Sequence, residues 1–210
     1  MENERRKMKQ KTPAIIAPVD CTEVLLHACC APCSSAIVEW MLQNDVRPII
    51  YYFNPNIYPR EEYNIRKEES KRHAESLSLQ WIDGDYDHDA WRCRMIGLEQ
   101  EPERGGRCQQ CFNMRLLSAA QKAHELGIRY FTTTLASSRW KSIDQIIQAG
   151  LAAQQVVPGT VFWAQNWRKG GLSDRRNQLL REYGFYNQQY CGCEFIMRHQ
   201  SPLPLIAKKD

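Results

Sequence analysis

The segment HACCAPC, residues 27–33, places three cysteines within five positions, directly after the apolar run VLL at residues 24–26. A short apolar run bounded by a turn signal is typical of a buried strand. From Ser34 onward, apolar side chains recur at helical spacing, so the cysteines fall in the turn between a strand and a helix. In open α/β sheets, ligands bind at the carboxyl ends of the strands. We therefore expect the functional site at this turn.

Strand and helix patterns alternate along the rest of the chain. Dense β-branched and aromatic runs predict further strands at residues 46–53, 79–82, 128–134 and 160–163. Apolar periodicity predicts helices at 34–43, 60–77, 108–125 and 142–154, and one more through Trp91 and Met95. This order predicts a single α/β domain, in which helices flank a mostly parallel sheet and a metal site lies at the carboxyl ends of the strands.

Length and composition limit the class of protein. A chain of 210 residues can bury a core without disulfide bonds. We expect one domain over residues 21–200, with a flexible arm at 1–20 and a tail at 201–210. No run approaches the roughly 20 apolar residues of a membrane span, and the N-terminus lacks the apolar region of a signal peptide. These features favour a cytoplasmic protein without membrane contact, and the net charge of +4 is compatible with nucleic-acid binding.

The nine cysteines carry the strongest chemical signal. In a reducing compartment, clustered cysteines indicate metal or redox chemistry rather than structural bridges. Seven of them form three tight groups: Cys29, Cys30 and Cys33; Cys108 and Cys111; Cys191 and Cys193. Cys21 and Cys93 stand alone, and we interpret them as an incidental surface thiol and a helix packing residue, respectively.

Three kinds of site fit the first two groups. Two C-x-x-C pairs, at residues 30–33 and 108–111, could form a closed structural zinc site. The CAPC segment after a strand also resembles a thioredoxin-type dithiol. An iron–sulfur cluster held by four thiolates from the two loops accounts for more of the cysteines. The alternative functions are therefore a zinc-stabilised RNA-binding module and a cytosolic dithiol oxidoreductase.

The last cysteine pair, Cys191-Gly192-Cys193, has two interpretations. Gly192 would let the backbone fold tightly enough for a reversible disulfide that relays two electrons. Otherwise the two thiols are simply buried without a partner.

Aromatic and basic residues interleave in the second half of the chain. They are Arg139-Trp140-Lys141, the segment WAQNWRKGG at 163–171, and Arg175-Arg176. Unpaired RNA bases stack on aromatic side chains while Arg and Lys contact phosphates, so the pattern fits an RNA-binding face. The alternative is that the tryptophans belong to the core and the charges are solvated.

Six motifs, in order, resemble those of the QueH-type epoxyqueuosine reductases. They are LHACCAPC at 26–33; NPNIYP at 54–59 with Glu62, Tyr63 and Arg66; RCQQC at 107–111 with Arg115 and Leu116; TTTLAS at 132–137; NWRKGG at 166–171; and QYCGC at 189–193. The resemblance covers most of the chain. It assigns no role to the N-terminal arm.

The resemblance implies an activity and a fold. Members of this family carry out the last step of queuosine biosynthesis, a two-electron reduction that removes the epoxide oxygen of epoxyqueuosine. The implied partners are tRNA carrying epoxyqueuosine at the wobble position of the anticodon loop, and an electron donor that the sequence does not identify. The implied fold is a single-domain α/β protein, Rossmann-like or HUP-like.

The resemblance also implies a cofactor and its ligands. It predicts a 4Fe-4S cluster with an additional iron beside it. The cluster thiolates would be Cys29, Cys30, Cys108 and Cys111, with Cys33 as a ligand or neighbour of the second iron, and Cys191 and Cys193 would be the redox-active pair.

The reaction also needs a proton donor. His27 lies next to the cysteines, although a lone histidine at the end of a strand is more often a hydrogen-bonded structural residue. Tyr58 and Asp85 are further candidates, and Asp85 also fits an ordinary turn.

Overall fold

The computed structural model describes residues 15–197. Its strands are β1 (Glu23–His27), β2 (Arg47–Tyr52), β3 (Trp81–Asp83), β4 (Tyr130–Thr133) and β5 (Val161–Phe162). Its helices are α1 (Ala31–Gln43), α2 (Arg60–Ser76), α3 (His88–Arg94), α4 (Gly106–Glu125), α5 (Ile143–Val156), α6 (Leu172–Glu182), α7 (Glu194–Met197) and a short 3-10 helix (Thr134–Ser137). Most of the predicted arm and the whole predicted tail lie outside the described residues, whereas Ile15, near the end of that arm, is buried in the core.

The five strands form one parallel sheet in the order β3-β2-β1-β4-β5, as the alternating pattern predicted. The central strand is β1, where Leu25 pairs in register with Ile49 of β2 and Phe131 of β4. The chain runs from β1 to β2 on one side, and β4 lies on the other side, so the strand order reverses next to β1. Such a switch point opens a crevice at the carboxyl ends of the strands. The cysteine-rich turn begins there.

Helix α1 is fixed by its first turn and by its buried face. Proline stands in that first turn, where its missing N–H costs no hydrogen bond. On the buried face, Trp40 packs with Trp163 and Trp167 at ring centroid distances of 6.1 Å each. Trp163 is 6 % exposed and Trp167 is 1 % exposed, so both belong to the core. The interpretation of Trp163 and Trp167 as core residues, rather than as part of an RNA-binding face, is therefore correct.

Helices α6 and α7 were not predicted from the sequence. Most residues of α6 are polar or charged, and only two of its apolar side chains, Leu172 and Leu179, are buried. Arg175 of this helix forms an ion pair with Glu39 of α1 at 2.6 Å, so it holds two helices together.

Both interpretations of the isolated cysteines were wrong, because Cys21 is buried and Cys93 is exposed.

The helices pack in pairs on the two faces of the sheet, with α4 against α5 and α1 against α6. In the part of the chain from residue 15 to 197, no helix is both long enough and apolar enough to cross a membrane.

Gly150 marks the closest approach of α5 to the sheet. A Cβ at this position would lie 2.3 Å from the ring of Phe162, which packs in turn on Phe131 at 5.2 Å. We expect Gly150→Ala to destabilise the fold by about 1–3 kcal/mol, because overpacking in a core outweighs the roughly 0.5–1 kcal/mol gained in helix propensity. Thermal unfolding checks this. In a Phe162→Leu background the added methyl group should cost less, and an equal cost in both backgrounds would contradict the steric explanation.

Candidate active site

Three thiols from the cysteine-rich turn meet at the end of β1. The sulfur atoms of Cys29, Cys30 and Cys33 all lie within 4.8 Å of one another, and those of Cys29 and Cys30 are 3.8 Å apart. We call these three residues the thiol group. Sulfur ligands select soft metals such as zinc, Cu(I) and iron in iron–sulfur clusters. By its geometry and donor chemistry, the thiol group could hold a metal ion.

Two residues that sequence reasoning missed hold the thiol group in place. Thr134, directly after β4, accepts a hydrogen bond from the Cys29 N–H at 3.1 Å and donates its hydroxyl to the Cys29 sulfur at 3.4 Å. The side-chain amide of Gln188 donates to the Cys30 sulfur at 2.8 Å and lies 3.6 Å from the Cys33 sulfur. Such outer partners orient metal ligands. Thr134 belongs to the TTTLAS motif, but nothing local in the sequence indicates that it contacts Cys29 or that Gln188 contacts Cys30, because both contacts join distant segments.

The thiols of this group differ in acidity. Hydrogen bonds from Cys30 and Cys33 hold the pKa of Cys29 well below its ordinary value. Burial raises the pKa of Cys30, and the hydrogen bond to Cys29 raises the pKa of Cys33 to about 11. Cys29 is therefore the thiolate of the group, and thiolates are the metal-binding form of cysteine.

Four further cysteines line a second, smaller cavity of about 40 Å³: Cys108, Cys111, Cys191 and Cys193. Cys108 and Cys111 stand in the first turns of α4, three positions apart and so on one side of the helix. The N–H of Arg104 donates to the Cys108 sulfur at 3.3 Å. Burial raises the pKa of Cys108 to about 11.

Gly192 allows the last cysteine pair to fold tightly. Its φ is +97°, and a Cβ there would lie 2.8 Å from Cγ1 of Ile57. The N–H of Cys193 donates to the Cys191 sulfur at 3.4 Å, and both cysteines are free thiols. Hydrogen bonding from Cys193 lowers the pKa of Cys191 to about 6, and the same contact raises the pKa of Cys193.

A cleft of about 480 Å³ joins these parts of the site. Its wall contains Cys29, Cys33 and Cys191, so it reaches the thiol group and the last cysteine pair. The cleft and the smaller cavity share four lining residues: Arg115, Trp140, Lys141 and Cys191. The three cysteine groups of the sequence therefore converge on one region. The four residues predicted as cluster ligands are divided between the thiol group and the smaller cavity.

The segment that carries the last cysteines is tied to α2 by buried polar contacts. We call residues 183–193 the strap. The Tyr186 hydroxyl donates to Glu62 at 2.8 Å, and Arg66 donates to the backbone oxygen of Tyr190 at 3.2 Å. Glu62 and Arg66 also form an ion pair at 2.6 Å, with side chains almost fully buried. Since a buried charge needs a partner, this pair depends on the strap being in place.

His27 is a structural residue. It is fully buried, its Nε2 donates to the Phe53 carbonyl at 3.0 Å, and its Nδ1 is 2.7 Å from the Thr133 hydroxyl. Burial lowers the pKa of His27 to about 3, so the ring is neutral and both nitrogens are used. Of the other predicted proton donors, Tyr58 stacks on His88 and Asp85 occupies a turn with φ +60°. Neither lines the cleft.

A basic loop lies on the wall of the cleft. We call residues 138–141 the rim loop. Arg104 donates to the backbone oxygens of Trp140 and Arg139, at 2.9 Å and 3.0 Å. Arg168 donates to those of Lys141, at 2.7 Å, and of Ser138. The Trp140 side chain is 43 % exposed, and the Arg139 guanidinium lies 5.6 Å from its ring centroid. The rim loop therefore presents one exposed aromatic ring and two cations.

A parallel sheet with a thiol group at its switch point, and two more cysteine pairs beside it, defines a cysteine-rich α/β protein with a candidate metal site. Residues 24–199 match the family model of epoxyqueuosine reductase QueH. The chain belongs to this family, the reductases of queuosine biosynthesis, as the ordered motifs predicted.

Similar proteins carry the same name. The epoxyqueuosine reductase QueH of Histophilus somni is 46 % identical over 186 residues, which cover 89 % of this chain and 76 % of that protein. That of Haemophilus influenzae is 45 % identical, with 84 % and 72 % covered. That of Acinetobacter baylyi is 44 % identical, with 86 % and 83 % covered.

Proposed function

We propose that this reductase acts on epoxyqueuosine at the wobble position of tRNA, with electrons delivered through a 4Fe-4S cluster, in the last step of queuosine biosynthesis. The observation that carries this proposal is the cleft, in which cysteines from separate segments face one space of about 480 Å³. Cavities of some 300–1,000 Å³ suit small organic ligands, and one modified nucleoside is of that size.

We assign the cluster to Cys29, Cys30, Cys108 and Cys111, with Cys33 beside a second iron. Support comes from the donor chemistry and from the hydrogen bonds that Thr134, Gln188 and the Arg104 N–H make to sulfur. Such bonds to sulfur are among the factors that set cluster potentials. When bound, an iron–sulfur cluster supplies electrons to the substrate. We assign Cys191 and Cys193 as the pair that cycles between dithiol and disulfide.

We assign tRNA binding to Arg139 and Trp140 of the rim loop and to Arg176 on the cleft wall. Arg139 and Arg176 both line the cleft, and neither forms an ion pair within the described residues. Sequence-specific RNA recognition uses unpaired loops, whose bases stack on aromatic rings while cations meet the phosphates. Trp140 is the exposed ring in the position to stack on a base next to the modified one.

Replacing Trp140 with alanine should weaken binding of an anticodon stem-loop RNA by about 5- to 150-fold, because one base–aromatic stack contributes about 1–3 kcal/mol. Trp140→Phe should retain most of the affinity. Arg139→Gln should instead reduce the slope of log affinity against log salt concentration by about 1, which is the contribution of one phosphate contact. Fluorescence anisotropy at several salt concentrations measures both effects. An unchanged affinity in Trp140→Ala would remove this loop from the RNA interface.

The cofactor and the substrate can be tested together. Protein reconstituted anaerobically with iron and sulfide should be brown, lose colour with dithionite, and convert epoxyqueuosine in tRNA to queuosine, as shown by nucleoside analysis. Dithionite stands in for the cellular electron donor. A colourless protein with stoichiometric zinc and no queuosine formed would contradict the proposal and favour a structural metal site.

We also propose that the enzyme works in the cytoplasm. All nine cysteines are free thiols, which is the state that a reducing compartment maintains.

A further inference from the structure

Lys141 occupies the point where the cavities of the site meet. Its side chain lines the cleft, the smaller cavity and an open depression at the surface that also contains Arg104 and Arg168. Its positive charge contributes to the lowered pKa values of Cys29 and Cys191 and partly offsets the rise in the pKa of Cys33. The ammonium group therefore lies near both the thiol group and the last cysteine pair, which come from segments far apart in the chain.

The ammonium group of Lys141 has no partner among residues 15–197. Within the described residues it forms no ion pair and donates no side-chain hydrogen bond, although Glu103 shares the wall of the smaller cavity and Asp144 that of the surface depression. An ammonium has three N–H donors and no acceptor. Donors without a protein partner at a cleft wall are available to a substrate oxygen.

The main chain of Lys141 is held on both sides. Its N–H donates to the Ser138 carbonyl at 3.3 Å, and its carbonyl accepts from Arg168 at 2.7 Å. The next residue, Ser142, caps α5 by accepting from the Gln145 N–H at 3.4 Å. The side chain thus starts from a fixed position, while the surface depression gives it access to solvent protons.

Other groups on the cleft wall are less suited to donate a proton. The guanidinium of Arg115 is buried, donates to Asn54, and belongs to a residue type that keeps its protons in proteins. The hydroxyl of Tyr190 donates to the Tyr58 carbonyl at 2.7 Å. Cys33 is part of the thiol group, which we assign to metal binding. His27 is neutral and fully hydrogen-bonded, as described above.

We propose that Lys141 donates a proton to the epoxide oxygen as the first carbon–oxygen bond breaks. This inference rests on the proposed function, which places epoxyqueuosine in the cleft. Removal of the epoxide oxygen breaks two carbon–oxygen bonds, forms one carbon–carbon double bond, consumes two electrons and two protons, and releases water. A one-electron reductant, dithionite in the reconstitution assay described above, supplies both electrons in turn. Lys141 protonates the oxygen, which becomes a hydroxyl group, and then regains a proton from solvent. The second proton joins that hydroxyl group, which leaves as water.

The test compares two variants that separate charge from proton donation. Lys141→Met removes both, and Lys141→Arg retains the charge but holds its protons too tightly to donate them. Both should lower the single-turnover rate of queuosine formation by about 100-fold or more, as expected for loss of a general acid. Iron content and affinity for epoxyqueuosine stem-loop RNA should stay at the wild-type level. Lys169→Met, which removes an exposed cation outside the cleft, should keep the wild-type rate.

Two further measurements do not depend on these rates alone. Added methylammonium should restore part of the activity of Lys141→Ala, because a small amine acid can enter the vacated space. In the wild-type protein, bound stem-loop RNA should protect Lys141 from acylation, as measured by mass spectrometry.

The outcomes distinguish the inference from the function on which it rests. Wild-type protein that forms no queuosine would overturn the proposed function. Active wild-type protein together with an active Lys141→Met, or with a Lys141→Arg that works normally, would overturn proton donation alone. Weaker RNA binding in Lys141→Met with an unchanged single-turnover rate at saturation would instead make Lys141 a phosphate contact.

Discussion

Replacing Cys30 with serine should prevent iron binding at the thiol group and abolish reductase activity. Cys30 is 1 % exposed, lies 3.8 Å from the Cys29 sulfur, and accepts a hydrogen bond from Gln188. A serine hydroxyl is a poor ligand for iron in clusters, where thiolates are preferred. Loss of an outer partner alone costs about 10- to 100-fold in metal affinity, so loss of a ligand should cost at least that. Iron and sulfide analysis after anaerobic reconstitution, with the visible spectrum, measures the effect.

The two isolated cysteines provide controls. Cys93 is exposed and Cys21 is buried in the core, and neither lines the cleft or the smaller cavity. Serine at either position should leave iron content unchanged. Cys108→Ser tests whether the ligands span both cysteine groups, because full iron content in that variant would exclude it from the cluster. Full iron content in Cys30→Ser would remove the thiol group from metal binding altogether.

Replacing Cys191 with serine should abolish turnover while the protein still binds iron. Cys191 lines both the cleft and the smaller cavity, and Cys193 donates to its sulfur. If the pair cycles between dithiol and disulfide, either single substitution stops the cycle, and losses of catalytic groups that act as a unit exceed about 100-fold. Multiple-turnover assays with iron analysis measure this. Normal turnover in both Cys191→Ser and Cys193→Ser would exclude a redox role for the pair.

The acidity of Cys191 gives an independent check on the same pair. Its pKa is lowered to about 6, so the reactive thiolate forms as pH rises through that value and is lost by protonation below it. The pKa of Cys193 is raised, so that thiol stays protonated at neutral pH. Iodoacetamide labelling of metal-free protein should therefore modify Cys191 before Cys193, with a rate at Cys191 that falls as pH drops below about 6. Faster labelling of Cys193 would contradict this assignment.

The sheet and the place of the site were predictable because both depend on local patterns. The apolar run before His27 and the helical spacing after Ser34 determine a strand–turn–helix unit without reference to the rest of the chain. The alternation of strands and helices then leaves few topologies. The tight turn at Gly192 could also be anticipated, because only glycine readily adopts its positive φ.

The parts that could not be predicted depend on long-range packing. Trp163 and Trp167 lie in a basic segment that also fits an RNA-binding face, and only their contacts with Trp40 show that they are core residues. Thr134 and Gln188 reach the thiols from segments more than 100 residues away. The position of Lys141 depends on the hydrogen bonds that Arg104 and Arg168 donate to the backbone of the rim loop, and no periodic pattern in the sequence predicts these contacts.

The strap also has a consequence for how the enzyme is made. Gln188, Cys191 and Cys193 are near the end of the part of the chain that the structure describes, whereas Cys29 and Cys30 are near its beginning. While the ribosome is still synthesising the final segment, the first cysteines can already sit at the end of β1 with one side open. Iron and sulfide can therefore reach them before the last residues dock on α2. We expect insertion of the cofactor to be fastest during or just after translation, and slower once the strap has docked and Gln188 lies against the sulfur of Cys30.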